Sequence, residues 1–70
     1  MTLGYYLKNQ RKRQCLFQDQ AAHQIGISRV HYSAMENDRI FSYSPCTLKK
    51  VADFLGKDTD WVIKHLPKKN

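Results

Sequence analysis

Arg29, Val30, Ser33 and Ala34 are the residues of this chain whose types and spacing suit chemistry on another molecule. Steps of one and four along a helix place them on a single face. A guanidinium there can donate two hydrogen bonds to guanine O6 and N7. Valine and alanine can pack against a thymine methyl, and a serine hydroxyl can serve a base or a phosphate. The set is suited to reading a base-pair edge, not to transforming a substrate. No paired carboxylates share a periodic face, no glycine-rich loop offers a phosphate cradle, and no Ser/His/Asp or Cys/His set is implied. His23, His31 and His65 could join Cys15 and Cys46 around zinc, but no Cys-x2-Cys or His-x3-His pair is present, so neither a metal nor a cofactor is expected. We therefore expect no enzyme activity and no small-molecule substrate, and read the histidines as surface residues of amphipathic helices.

The four residues lie within a stretch from Gln18 to Asn37 that has the outline of two short helices around a glycine turn. Ala21 and Ala22 supply the small side chains that two steeply crossing helices need. Gly26 suits the left-handed conformation that ends a helix. Ser28 is a good N-cap for the second helix, expected to run to Glu36 or Asn37, with Ile25, Ile27, Tyr32 and Met35 turned inward.

The flanking segments supply the rest of a core. Leu3, Tyr6 and Leu7, followed by a basic run, predict a first helix of about a dozen residues. Cys15-Leu16-Phe17 reads as a turn that drops apolar side chains back inside. Residues 38–44 show no period and read as a loop, in which Ile40, Phe41 and Tyr43 either fold onto the core or help form a dimer interface. Pro45 then opens a helix in which Leu48, Val51, Ala52 and Leu55 recur with helical period, and Gly56 ends it. Asp58 is placed to cap a fifth helix carrying Trp61, Val62 and Leu66 inward, with Pro67 as its stop. No strand signal occurs, so the expected class is all-α with five helices, as one domain over residues 1–66 and a short basic tail over 67–70.

Composition agrees with this outline and points to a polyanionic partner. The formal net charge is +6, and Lys8, Arg11, Lys12 and Arg13 cluster near the start with no acid among them. Two cysteines are too few for a disulfide scaffold and read as reduced thiols. No apolar run approaches the roughly 20 residues of a membrane span, and no charged-then-apolar leader opens the chain. The expectation is a soluble cytoplasmic protein with no membrane partner.

Taken together, these motifs resemble the lambda-repressor-like family of helix-turn-helix proteins, the Cro/C1 type. Leu7-x3-Arg11 is similar to that family's first helix, and Gln18-x3-Ala22-x3-Gly26-Ile27-Ser28 to its helix-turn-helix core. Met35-Glu36-Asn37 resembles the end of its recognition helix. Pro45-x2-Leu48-x2-Val51-Ala52-x2-Leu55-Gly56, followed by Asp60-Trp61-Val62, resembles its last two helices. The resemblance implies a compact five-helix domain that reads double-stranded DNA. It implies base contacts from Arg29, Val30, Ser33 and Ala34, and phosphate contacts from Gln18, Ser28, Asn37 and Arg39. It also implies an internal ion pair between Arg11 and Glu36.

The chain departs from the family pattern at several points. Phe17 stands where a Ser or Thr cap is usual, and Ala21 replaces a usual Leu, leaving space for Phe17 or Phe54 to fill. Cys15 and Asp38 stand where Gly is common, and a carboxylate at Asp38 near DNA would repel phosphate. One recognition helix gives limited discrimination, so two copies on a two-fold site are expected. The expected homodimer contacts are Phe41, Tyr43, Lys57, Asp58, Thr59 and Trp61. A Cro-like repressor is the leading expectation. The alternatives are an antitoxin or restriction-controller regulator that also binds a protein partner, and a protein-interaction module that has lost DNA reading.

Overall fold

In the computed structural model, which describes residues 1–68, five α-helices follow one another: α1 Leu3–Arg13, α2 Gln18–Ile25, α3 Arg29–Glu36, α4 Pro45–Leu55 and α5 Thr59–Lys64. Lys69 and Asn70, half of the expected tail, lie outside the described residues. The expected all-α class holds, with no strand among the described residues. No described helix is long and apolar enough to cross a membrane.

Each helix buries the stripe its apolar spacing provides. Leu3 and Leu7, Ala21, Ala22 and Ile25, Tyr32 and Met35, Val51 and Ala52, and Val62 form one core, none of them more than 3% exposed. The alanines of α2 let it lie close against α3, while α1 also packs on α3 and α4 on α5. The chain closes on itself where the Leu3 amide donates to the His65 carbonyl at 2.7 Å.

The first four helices end in the same way. In each, a left-handed residue (Cys15, Gly26, Asp38 and Gly56) turns the chain, so that the next amide reaches back to a carbonyl five residues earlier. Glycine carries no penalty there, and Gly26 and Gly56 sit at φ +90° and +71°. Cys15 and Asp38 hold φ +57° with a Cβ present. The two places where glycine is common in the family pattern are thus left-handed positions of this backbone.

Several expectations about facing are corrected. Of the turn Cys15-Leu16-Phe17, only Leu16 packs against the core, and Phe17 is 74% exposed. Phe17 takes the extended N-cap position of α2, from which its ring lies over the surface. It cannot fill the space beside Ala21, whereas Phe54 does pack on the core. The phenyl group also has no acceptor, so only the reciprocal half of a capping box forms, with the Phe17 amide donating to Gln20 Oε1 at 2.8 Å. α5 ends at Lys64, ahead of Pro67, and His65 is its C-cap. That histidine is no simple surface residue. Its ring stacks on Trp61 at 4.0 Å and meets Tyr6 edge-on at 5.1 Å. Its Nδ1 lies 2.8 Å from the Trp61 carbonyl, which can only accept, so Nδ1 carries the proton.

The loop after α3 is partly drawn onto the core. Ile40 and Tyr43 pack against the core of their own chain, while Phe41 stays 41% exposed. Burial, with a smaller contribution from Asp38, pushes the Tyr43 phenol well above its usual range, and the hydroxyl has no hydrogen-bond partner among the described residues.

Candidate nucleic-acid interface

The first turn of α3 is built by Ser28, whose Oγ accepts from the His31 amide at 3.1 Å. The cap uses one acceptor site of the Ser28 hydroxyl and leaves its proton available for a donor contact. Tyr32 and Met35 anchor the inner face of the helix in the core, and Arg29 and Val30 are left exposed on the outer one. Val30 is 76% exposed, a β-branched apolar side chain held in water next to a guanidinium.

These side chains line a shallow concavity of about 240 Å³ with Ser33, Ala34, Asn37 and Arg39. The fold therefore brings together the four expected base readers and two of the four expected phosphate contacts. The Asn37 side-chain amide donates to the Ser33 carbonyl at 2.9 Å, which fixes it over the last turn of α3. Arg39 is exposed at the far lip. Ser28 and Gln18 lie outside this hollow.

Gln18 is engaged from behind. Its Nε2 donates to Glu36 Oε1 at 3.2 Å, joining the start of α2 to the end of α3. The same carboxylate receives Arg11 Nε at 2.6 Å on Oε2 and Arg11 Nη2 at 3.4 Å on Oε1. Arg11 Nη1 also donates to the Leu16 carbonyl at 3.0 Å. One carboxylate thus ties α1, α2 and α3 at a point where the Glu36 side chain is only 4% exposed and that of Arg11 15%.

The electrostatics follow from this enclosure. Burial pushes the Glu36 carboxyl up, but hydrogen bonds from Arg11, Tyr32 and Gln18, with the Arg11 charge, outweigh it and hold the group below its ordinary value. The hydrogen bond to Glu36 raises Arg11 against the opposing effect of burial. Burial first, and Glu36 second, push the Tyr32 phenol far above its usual range, so that it stays a neutral donor, directed at the Leu7 carbonyl at 3.3 Å.

The other acid at this end of α3 also lies outside the concavity. Asp38 Oδ1 accepts from the Gly4 amide at 3.0 Å, and Oδ2 accepts from Thr2 Oγ1 at 2.6 Å. It caps the first turn of α1 in place of Thr2, whose own side chain makes no cap bond. Its carboxylate is thus held at the positive end of a helix and is absent from the lining of the concavity. Sequence reasoning missed this role. The one available signal was Gly4 in a helical first turn, where glycine marks a close approach. A Cβ on Gly4 would stand 2.4 Å from the Glu36 carbonyl oxygen and 2.7 Å from Asp38 Oδ1.

A larger open groove of about 760 Å³ lies between α1, α4 and α5, lined by Tyr6, Lys12, Arg13, Lys57 and Trp61 among others. The Lys57 ammonium sits 5.6 Å over the Trp61 ring. Of the expected dimer residues, Lys57 and Trp61 are in this groove, whereas Phe41 belongs to the separate loop after α3. The family described as Helix-turn-helix matches the chain over residues 7–62. Neither the curated proteins nor the solved structures give a match.

Proposed function

The chain belongs to the helix-turn-helix family of DNA-binding regulators, and from that premise we propose that it is a Cro-like repressor that binds a two-fold operator as a homodimer. The observation that carries the reading is the concavity on α3, where Arg29 and exposed Val30 stand between Ser33, Ala34, Asn37 and Arg39 with no carboxylate in the lining. In this reading Arg29 takes guanine O6 and N7, Val30 and Ala34 cover a thymine methyl, and Ser33 serves a base or the backbone. Asn37 and Arg39 grip phosphate at one lip. Ser28, through its free hydroxyl proton, and Gln18, through its second amide proton, do so beyond the hollow.

One such helix contacts few bases, so the second half of the operator is read by a second copy about 34 Å away along the DNA. We place the contacts between copies at Lys57, Asp58, Thr59 and Trp61, with Phe41 contributing from the loop. Tyr43 is left out because it packs on its own core. The test is a binding selection on random duplex DNA at fixed salt, followed by footprinting. A palindromic site with half-sites one helical turn apart is the expected result. Protection of a single asymmetric site of about five base pairs would overturn the dimer, and binding that ignores sequence would overturn the base readers.

A further inference from the structure

The carboxylate of Asp38 stands between the two residues that flank it at the lip of the reading concavity, Asn37 and Arg39, and it points the other way. It spans from the end of α3 to the first turn of α1, on residues 34 and 36 positions earlier in the chain. Gly4 permits this approach, because any side chain there would collide with the Glu36 carbonyl and with Asp38 itself. The backbone at Asp38 is left-handed, and the Arg39 amide is fastened to the Ala34 carbonyl at 2.9 Å just beyond it. Two successive acids at this end of α3 are therefore fastened to the same helix, Glu36 to Arg11 and Asp38 to Gly4 and Thr2.

We propose that Asp38 is a positioning residue for DNA binding, a strut from the Gly4 amide and Thr2 hydroxyl that holds Arg39 where it meets phosphate. The inference rests on the reading of Arg39 as a phosphate contact given above. Its sign is diagnostic. An acid that merely lay near DNA would repel it, so removing the charge would strengthen binding. An acid acting as a strut does the opposite, and its removal frees the lip and weakens binding to every duplex alike. The amide of an asparagine can still accept from Gly4 and stay bonded to Thr2, so it keeps the strut while dropping the charge.

The test compares Asp38→Gly, Asp38→Asn, Arg39→Ala and the double variant Asp38→Gly/Arg39→Ala. Each is titrated with the selected operator and with a random-sequence duplex over a range of salt. Glycine suits the left-handed backbone, so Asp38→Gly keeps the turn itself, and a thermal melt confirms folding. Asp38→Gly is expected to weaken both duplexes by on the order of tenfold, the measure of one charge-assisted hydrogen bond. It should also lower the salt slope by about one, as one lost phosphate contact does. Asp38→Asn should bind at least as well as the parent. The double variant should be no weaker than Arg39→Ala alone, since Asp38 acts through Arg39. Equal or tighter binding by Asp38→Gly, or losses that add in the double variant, would overturn the strut while leaving Arg39 as a phosphate contact. Unchanged affinity and salt slope in Arg39→Ala would remove the phosphate reading and the strut with it. Should Asp38→Gly fail to fold, Thr2→Val, which cuts only the second bond, decides the matter. A smaller loss on both duplexes, absent when Arg39 is already alanine, supports the strut, and no loss overturns it.

Discussion

Arg11 Nε and Glu36 Oε2 meet at 2.6 Å in a pocket where the carboxylate side chain is 4% exposed, so the end of the reading helix is anchored through a nearly dry ion pair. Such a pair contributes little net stability over an apolar substitute, because desolvation offsets attraction. Breaking it is another matter, since the remaining charge has no water to turn to.

We expect Arg11→Ala to destabilise the fold by about 3–5 kcal/mol and the double change Arg11→Met/Glu36→Leu to cost much less. Urea denaturation of the three proteins measures this. Equal losses in the single and double variants would show that Arg11 matters for its packing and not for its charge.

The same pair sets a pH dependence. Glu36 is held below its ordinary value of 4.5 in the folded protein, so the unfolded chain takes up its proton first as pH falls. The stability from this group is complete above about pH 4.5 and is lost as pH drops through the folded value. Denaturation midpoints measured between neutral and acid pH should fall along that limb, and Glu36→Gln should flatten it from a lower starting stability. An acid limb of unchanged steepness in Glu36→Gln would place the dependence elsewhere.

On the reading face, Arg29→Ala should cost about 1–3 kcal/mol on operator DNA and relax the choice at one base pair. Gln18→Ala should weaken operator and random duplexes by similar factors. Competition binding separates the two, and an Arg29→Ala protein that loses equally on both duplexes would make Arg29 a phosphate contact.

Backbone geometry gives a pair of stability changes of opposite sign. Helix propensity alone favours Gly4→Ala by about 1 kcal/mol, yet the new methyl would lie 2.4 Å from the Glu36 carbonyl oxygen. We expect a net loss of about 1–3 kcal/mol, the usual cost of overpacking. Cys15→Gly should instead raise stability by up to about 1 kcal/mol, because relief of the left-handed strain exceeds the entropy glycine adds to the unfolded chain. Thermal melts of both variants give the signs directly.

Those two residues also show what the sequence makes legible. Gly26, Ser28, Pro45, Gly56 and Asp58 act on their own neighbours, so the starts of α3, α4 and α5 and the ends of α2 and α4 can be read from local chemistry. That Arg29, Val30, Ser33 and Ala34, the proposed base readers, share one face of α3 follows from helical spacing in the same way. The Arg11–Glu36 pair joins positions 25 apart and came from family resemblance, not from any local period. For the bonds of Asp38 the one signal was Gly4, which marks a close approach without naming its partner, since nothing near Asp38 in the sequence points 34 positions back. Facing was equally hidden at Phe17 and His65, one an aromatic left outside and the other a polar ring drawn between two aromatics. In both, the outcome was decided by which helices meet, a matter of tertiary packing.

The hydrogen bond from the Leu3 amide to the His65 carbonyl joins the opening of α1 to the close of α5. Such a closure carries the entropic cost of a loop nearly as long as the domain, and it is recovered only when all five helices are in place. The Leu3 amide so engaged lies between Thr2 and Gly4, the two residues bonded to Asp38 after α3. On the proposed function, occupancy of DNA is expected to follow the folded fraction.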